Sequence, residues 1–190
     1  VDSEINLNNH TIDGAVRENS CNYAPFQNTN GHSLILKNGT ISNFSTTDDS
    51  TTNPYHGGVI FNNGADSIFV ALNTTFSNNT VKGVPNSWGG VIANLNSYAP
   101  QIDIEGSSFI GNIANDEGGA IFNASSNSDN KIVDSYFQNN KSLTKTGGAI
   151  YNTDGTLSVE NSYFYENTAV GAGAIKNDNS GNLTIKNSIF

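Results

Sequence analysis

The chain is short of charge, bulk aliphatic residues and sulfur, and each shortage narrows what it can be. Of 190 residues, 13% are charged and 35% hydrophobic, with one cysteine and no methionine. Cys21 alone can close no internal disulfide and cannot build a cysteine-rich metal centre. Its neighbours Asn22 and Tyr23 offer no base or cation to activate a thiolate. Arg17 is the sole arginine, and with seven lysines it leaves a net charge of -9, which argues against nucleic acid as a partner. No apolar run reaches the length of a membrane-spanning helix, so membrane association is expected only through regions outside this sequence. The start at Val1, which is neither an initiator methionine nor a signal segment, and the stop at Phe190 are those expected of an excised piece of a longer protein.

What is abundant is asparagine, 32 residues, and glycine, 19. Much of both falls into a repeated octet of the form apolar, any, apolar, any, then Asn, Asp or Gly, two variable residues, then Phe or Ile. Copies occupy residues 5–12, 34–41, 69–76, 102–109, 130–137, 157–164 and 183–190. Their last positions are 29, 35, 33, 28, 27 and 26 residues apart, a drifting period that leaves room for variable loops. A second element, GGxIxN, precedes five of the octets, at residues 57–62, 89–94, 118–123, 147–152 and, degraded, 172–177. Ala24-Pro25-Phe26-Gln27-Asn28 keeps a remnant of it. Three residues after the final aromatic stands Asn79, Asn112, Asn140 or Asn167, giving FxxN four times.

Apolar residues recur at intervals of two, as at Leu157 and Val159, which is the period of a strand. Short strands in a repeat of about 27 residues leave no space for a crossover helix. Each strand must therefore lie in register on its equivalent in the next repeat. The expected fold is all-β, a right-handed parallel β-helix of about seven coils with three short strands per coil, one each from GGxIxN, the apolar pair and the aromatic. It forms a single domain over residues 1–190, with atypical coils in 1–56 and regular ones in 57–190.

In that coil the repeated residues become structural columns. Ile60, Ile92, Ile121, Ile150 and Ile175 form one inward column, and Phe76, Phe109, Phe137 and Phe164, with Ile41 before and Phe190 after, form another. Asn62, Asn94, Asn123, Asn152 and Asn177 form a third, at a corner where amides bond to the rungs above and below.

The differences lie in the loops between FxxN and the next glycine pair, residues 45–56, 80–88, 113–117, 141–146 and 168–171. The two longest end at Tyr55-His56 and at Trp88, the only tryptophan. These three residues are the candidate ligand contacts, because aromatics on an acidic surface suit sugar rings or a protein hot spot.

No catalytic set stands out. Glu105 and Glu160 share an outward column, but Val133 lies between them and Lys186 follows, the pattern of a solvated charge ladder. Acidic turns at Asp48-Asp49, Asp116-Glu117 and 178–182 lack the spacing of a calcium loop, and His10, His32 and His56 are isolated, so neither a metal nor another cofactor is expected. Eight glycosylation sequons begin at Asn9, Asn38, Asn43, Asn73, Asn78, Asn123, Asn140 and Asn182, a number the composition nearly accounts for.

GGAI followed by FxxN within one repeat resembles the signature of chlamydial polymorphic outer-membrane proteins. The Asn and Thr richness and phrases such as NHTIDG at 9–14 and LKNGTI at 36–41 resemble the adhesin-like surface proteins of methanogenic archaea. The resemblance spans nearly the whole chain, most clearly 57–190, and implies a non-catalytic adhesin, extracellular at the cell surface. Its partner would be a surface protein or glycan of another cell. The competing expectations are a polysaccharide-active β-helix enzyme, lyase or hydrolase, and a purely structural stalk.

Overall fold

The computed structural model describes residues 2–14, 24–29, 31–48, 57–83, 87–96, 99–127, 129–178 and 180–190. Among them every regular element is a strand, and every strand pair is parallel. The strands form three sheets of eleven, six and four strands, the three sides of a solenoid. GGxIxN supplies the six-stranded side, from Phe26–Asn28 to Ile175–Asn177. The octets supply the eleven-stranded side.

The seven octets make about five full turns, fewer than the seven coils their count suggests. A turn needs all three sides. The first octet contributes Ser3–Asn6 and Thr11–Asp13 to the large sheet only, among the described residues, and the last ends on Phe190 before a third side begins.

The three sides are also composed differently from the expectation. The apolar pair and the aromatic of one octet lie on a single side, and Ser33–Ser42 and Ile68–Ser77 run through both without a break. The third side comes after FxxN, where Ser45–Asp48, Thr80–Gly83, Ile113–Ala114 and Lys141–Ser142 pair in the four-stranded sheet. The repeat pattern alone places these residues at the starts of loops.

Backbone conformation explains where the chain turns. The fifth octet residue is left-handed throughout, with φ of 57° at Asn38, 48° at Asn73, 58° at Gly106, 49° at Asp134 and 49° at Asn161. One such residue bends a strand without taking it out of its sheet. A second left-handed residue, such as Asn78 at 55° or Asn139 at 54°, stands directly before the FxxN asparagine and turns the chain onto the third side. Asn, Asp and Gly carry the smallest penalty for this conformation, hence their fixed places in the repeat.

The interior columns form as the repeats imply. Ile60, Ile92, Ile121 and Ile150 are in register and fully buried, while Ile175, on the last turn, is half-exposed. The rings of Phe76, Phe109, Phe137, Phe164 and Phe190 stack at centroid separations of 5.0, 4.7, 4.7 and 4.8 Å. The corner column begins at the remnant Asn28. From there each side-chain amide donates to the next asparagine, through Asn62, Asn94, Asn123, Asn152 and Asn177, at 2.7–2.9 Å. Asn79, Asn112, Asn140 and Asn167 form a second amide column at 2.9–3.1 Å. A third polar column comes from the sixth octet position, where the backbone N–H of Thr74, Ser107, Ser135 and Ser162 each donates to the hydroxyl of the next rung. Together these columns satisfy buried polar groups that a narrow core could not otherwise hold.

Candidate binding surface

The loop corner lies between the four-stranded and six-stranded sides, and glycine pairs close it. Gly89 adopts φ +66°, and a Cβ on Gly119 would meet the Gly148 carbonyl oxygen at 2.0 Å. Backbones of successive turns therefore touch here, and side chains must gather on either side of the seam.

Trp88 directly precedes such a pair. Its ring stacks on Phe122 at 4.5 Å and 8°, and Phe122 stacks on Tyr151 at 5.2 Å and 7°. Phe122 and Tyr151 occupy the x position of GGxIxN, where the register sets Ala93 in the preceding turn. Trp88 thus extends a column that the small Ala93 side chain would otherwise leave short. One face of the indole is covered, and the residue is half-buried. Its N–H is buried, and its dipole draws the Glu117 carboxyl down slightly against the effect of burial. Tyr55 and His56, the other two candidate contacts, lie outside the described residues.

Around this stack the acidic turn at 116–117 is clasped by the following turn. Lys145 Nζ sits 3.4 Å from Glu117 Oε1 and 3.7 Å from Asp116 Oδ2, and the Thr144 hydroxyl donates to Asp116 Oδ1 at 2.7 Å. Burial pushes the Glu117 carboxyl above its ordinary range, against the pull of Lys145. Tyr151 donates to Asp178 Oδ2 at 3.3 Å, and burial, then the Asp178 charge, raises its phenol. Asp116 and Glu117 are thus both held by Lys145. Among the described residues no group of three or more His, Cys, Asp or Glu is placed to hold a metal.

A second concavity, of about 560 Å³, runs along the outer face of the large sheet, open to solvent and lined by Gln101, Asp129, Lys131, Val133, Ser158 and Glu160. The column Glu105, Val133, Glu160, Lys186 is in register as the sequence implied. Lys186 Nζ lies 3.1 Å from Glu160 Oε1, and this contact with the Ser158 hydroxyl holds the Glu160 carboxyl below its ordinary range. A general acid for glycoside cleavage needs the opposite shift. Tyr136 and Tyr163 stack farther along the same side of the solenoid, at 5.2 Å, beside the exposed Tyr165.

The sequons divide by burial. Asn123 and Asn140 are fully buried column members, whereas Asn9, Asn73, Asn78 and Asn182 are exposed. The column of hydroxyls at the sixth octet position was missed in the sequence, although Thr or Ser at 74, 107, 135, 162 and 188 was there as its signal.

The sequence has counterparts among known proteins. The Chlamydia polymorphic membrane protein (Chlamydia_PMP) repeat matches residues 73–95, 106–124 and 134–153. Each of these stretches includes the end or middle of an octet, and each reaches into or up to a GGxIxN strand. The chain is also similar to the probable autotransporter YfaL of Escherichia coli (strain K12), 33% identical over 129 residues that cover 64% of this chain. It spans only 10% of that protein's length. No solved structure gives a significant match.

Proposed function

We propose that the chain is a section of a surface-exposed, adhesin-like repeat protein that works by presentation rather than catalysis. A rigid solenoid holds its variable loops and outer strand faces toward a surface protein or glycan of another cell. One observation carries the reading: the residues that recur are used up in internal columns, from Asn28–Asn177 and Phe76–Phe190, while the residues that vary from turn to turn lie outside. Selection on such a molecule can alter loops without disturbing the stack. The likeness to polymorphic membrane protein repeats and to an autotransporter supports an extracellular, cell-surface setting.

In this reading residues Tyr55 and His56 contact the partner, and Trp88 braces its corner of the solenoid. Labelled protein is applied to a panel of whole cells and to a glycan array. Tyr55→Ala with His56→Ala should remove binding and leave the melting temperature unchanged. Absence of binding to any cell or glycan would leave the molecule as a structural stalk.

The open groove at Gln101, Lys131 and Glu160 favours one second reading, a polysaccharide-active enzyme. Incubation with polyuronides and microbial glycans distinguishes it, because release of new reducing ends that disappears in Glu160→Gln would replace the adhesin reading.

A further inference from the structure

The outer face of the large sheet changes character along the solenoid. On the strand Ile68–Ser77 the residues facing away from the core are Ile68, Val70 and Leu72, so residues 68–72 are apolar on both faces. Ile35, in register with Val70, extends the patch by one rung. All four are half-buried. One rung further on, the same positions hold Gln101, Asp103 and Glu105. A strand that is apolar on both faces has the pattern of one covered on both, and a contiguous outward apolar patch marks an interface.

Charges of both signs flank this patch on each of its two sides. One outward column reads Lys37, Leu72, Glu105, and its neighbour reads Glu4, Ile35, Val70, Asp103, Lys131. Counted from the central rung, Lys37 is one before and Glu105 one after. Glu4 is two before and Lys131 two after. A two-fold axis lying along the central strand, in the plane of contact, exchanges the rungs before it with those after it and keeps the columns. It would set Val70 and Leu72 against their own copies, Lys37 against Glu105, and Glu4 against Lys131, making four opposite-charge pairs in all, while Asp103 falls against Ile35 of the second copy and keeps Lys131 of its own chain as its partner.

We propose that this face is a self-complementary docking surface for a second copy of the chain, packed back to back with its axis antiparallel. Within one chain Lys131 Nζ already lies 3.1 Å from Asp103, and Lys37 bonds Glu4. The side chains of Glu4 and Lys131 are each 49% exposed, so these charges join the second copy without a buried ion being stranded. Five rungs at about 4.8 Å by roughly 17 Å of strand give an area of about 400 Å² per copy. That is well under the standard size for a permanent complex. The association is therefore weak and reversible, suited to copies held close together. The surface is separate from the loop corner and stands whether or not the chain is an adhesin.

Sedimentation velocity and light scattering over micromolar to millimolar protein test the proposal. The unaltered chain should form a concentration-dependent dimer. Val70→Asp should weaken it by at least about a hundredfold, as expected when a charge enters an apolar contact without a partner, with an unchanged melting temperature. Lys37→Glu and Glu105→Lys alone should each weaken it about tenfold, because each sets like charges together twice in the dimer. The double exchange, Lys37→Glu with Glu105→Lys, should recover most of the loss. A chain that stays monomeric at millimolar concentration overturns the proposal. So does a dimer indifferent to Val70→Asp, or a double exchange no better than the single changes. Where Val70→Asp disturbs folding, the charge exchange decides alone.

Discussion

Inside the solenoid, successive rungs carry the same residue; outside, on the same strands, they do not. Phe76, Phe109, Phe137 and Phe164 are one ring repeated, whereas the outward column beside them runs Ser77, Ile110, Gln138, Tyr165. The strands are shared, so propensity cannot explain the difference. An inward side chain has neighbours only above, below and across a narrow core, and a ring or an amide satisfies them by stacking on its own kind. An outward side chain has water on one side and needs no match. Trp88 sits between these classes, coming from a variable loop yet stacked on Phe122.

The contrast can be broken most sharply at Phe137, which stacks on Phe109 and Phe164 and is fully buried. Phe137→Ala should cost about 3–5 kcal/mol in denaturant melts. A loss below about 1 kcal/mol would remove the ring from the core, against the usual cost of emptying such a site. Asn123→Ala comes next. It strips the Asn94 amide of its nearest acceptor and Asn152 of a donor, both buried, for about 2–6 kcal/mol at about 1–3 kcal/mol per affected group. An equal loss in Asn123→Asp and Asn123→Ala would mean that the amide hydrogen is what counts, since only the oxygen survives in Asp.

Trp88→Ala should fall in between, at about 1–3 kcal/mol, with most of it retained by Trp88→Phe. A null effect would return Trp88 to the outside class. Ser158→Ala, on the open face, should change stability by less than about 0.5 kcal/mol. A pH series sharpens the corner further. Burial raises the Glu117 carboxyl, so the folded chain holds that proton more tightly than the unfolded chain does. Stability from this group is full below its unfolded value and declines as pH rises through the folded one. Glu117→Gln should flatten that decline, and an unchanged pH profile would show that Lys145 cancels the burial.

Much of the fold was legible because the repeat constrains it residue by residue. Ile60, Ile92, Ile121 and Ile150 could be aligned by eye, and Asn62 to Asn177 with them, since a stacked column demands identity at a fixed place in each repeat. The number of turns was not, because an octet looks the same whether or not other sides complete its turn. Nor was the third side. Val81, Ala114 and Ser142 give a strand of only two to four residues a single inward position each, too short to show a period of two. The surface was least legible. Trp88 looked like a free aromatic in a polar loop, and only Ala93 on one rung with Phe122 on the next gave it a seat. A corner could be named from sequence, but the pairing within it could not.

By itself, then, the sequence determined that strands stack in parallel and which residues stack, because period and identity are properties of the chain. Which charges pair across rungs, which asparagines are buried, and which apolar residues face outward together depend on register between segments some 26 to 35 residues apart. Lys145 meets Glu117, and Ile35 meets Val70, only once the coil has closed. Those contacts are set by the number of residues in each turn and by where a left-handed residue bends it, and they belong to the tertiary structure alone.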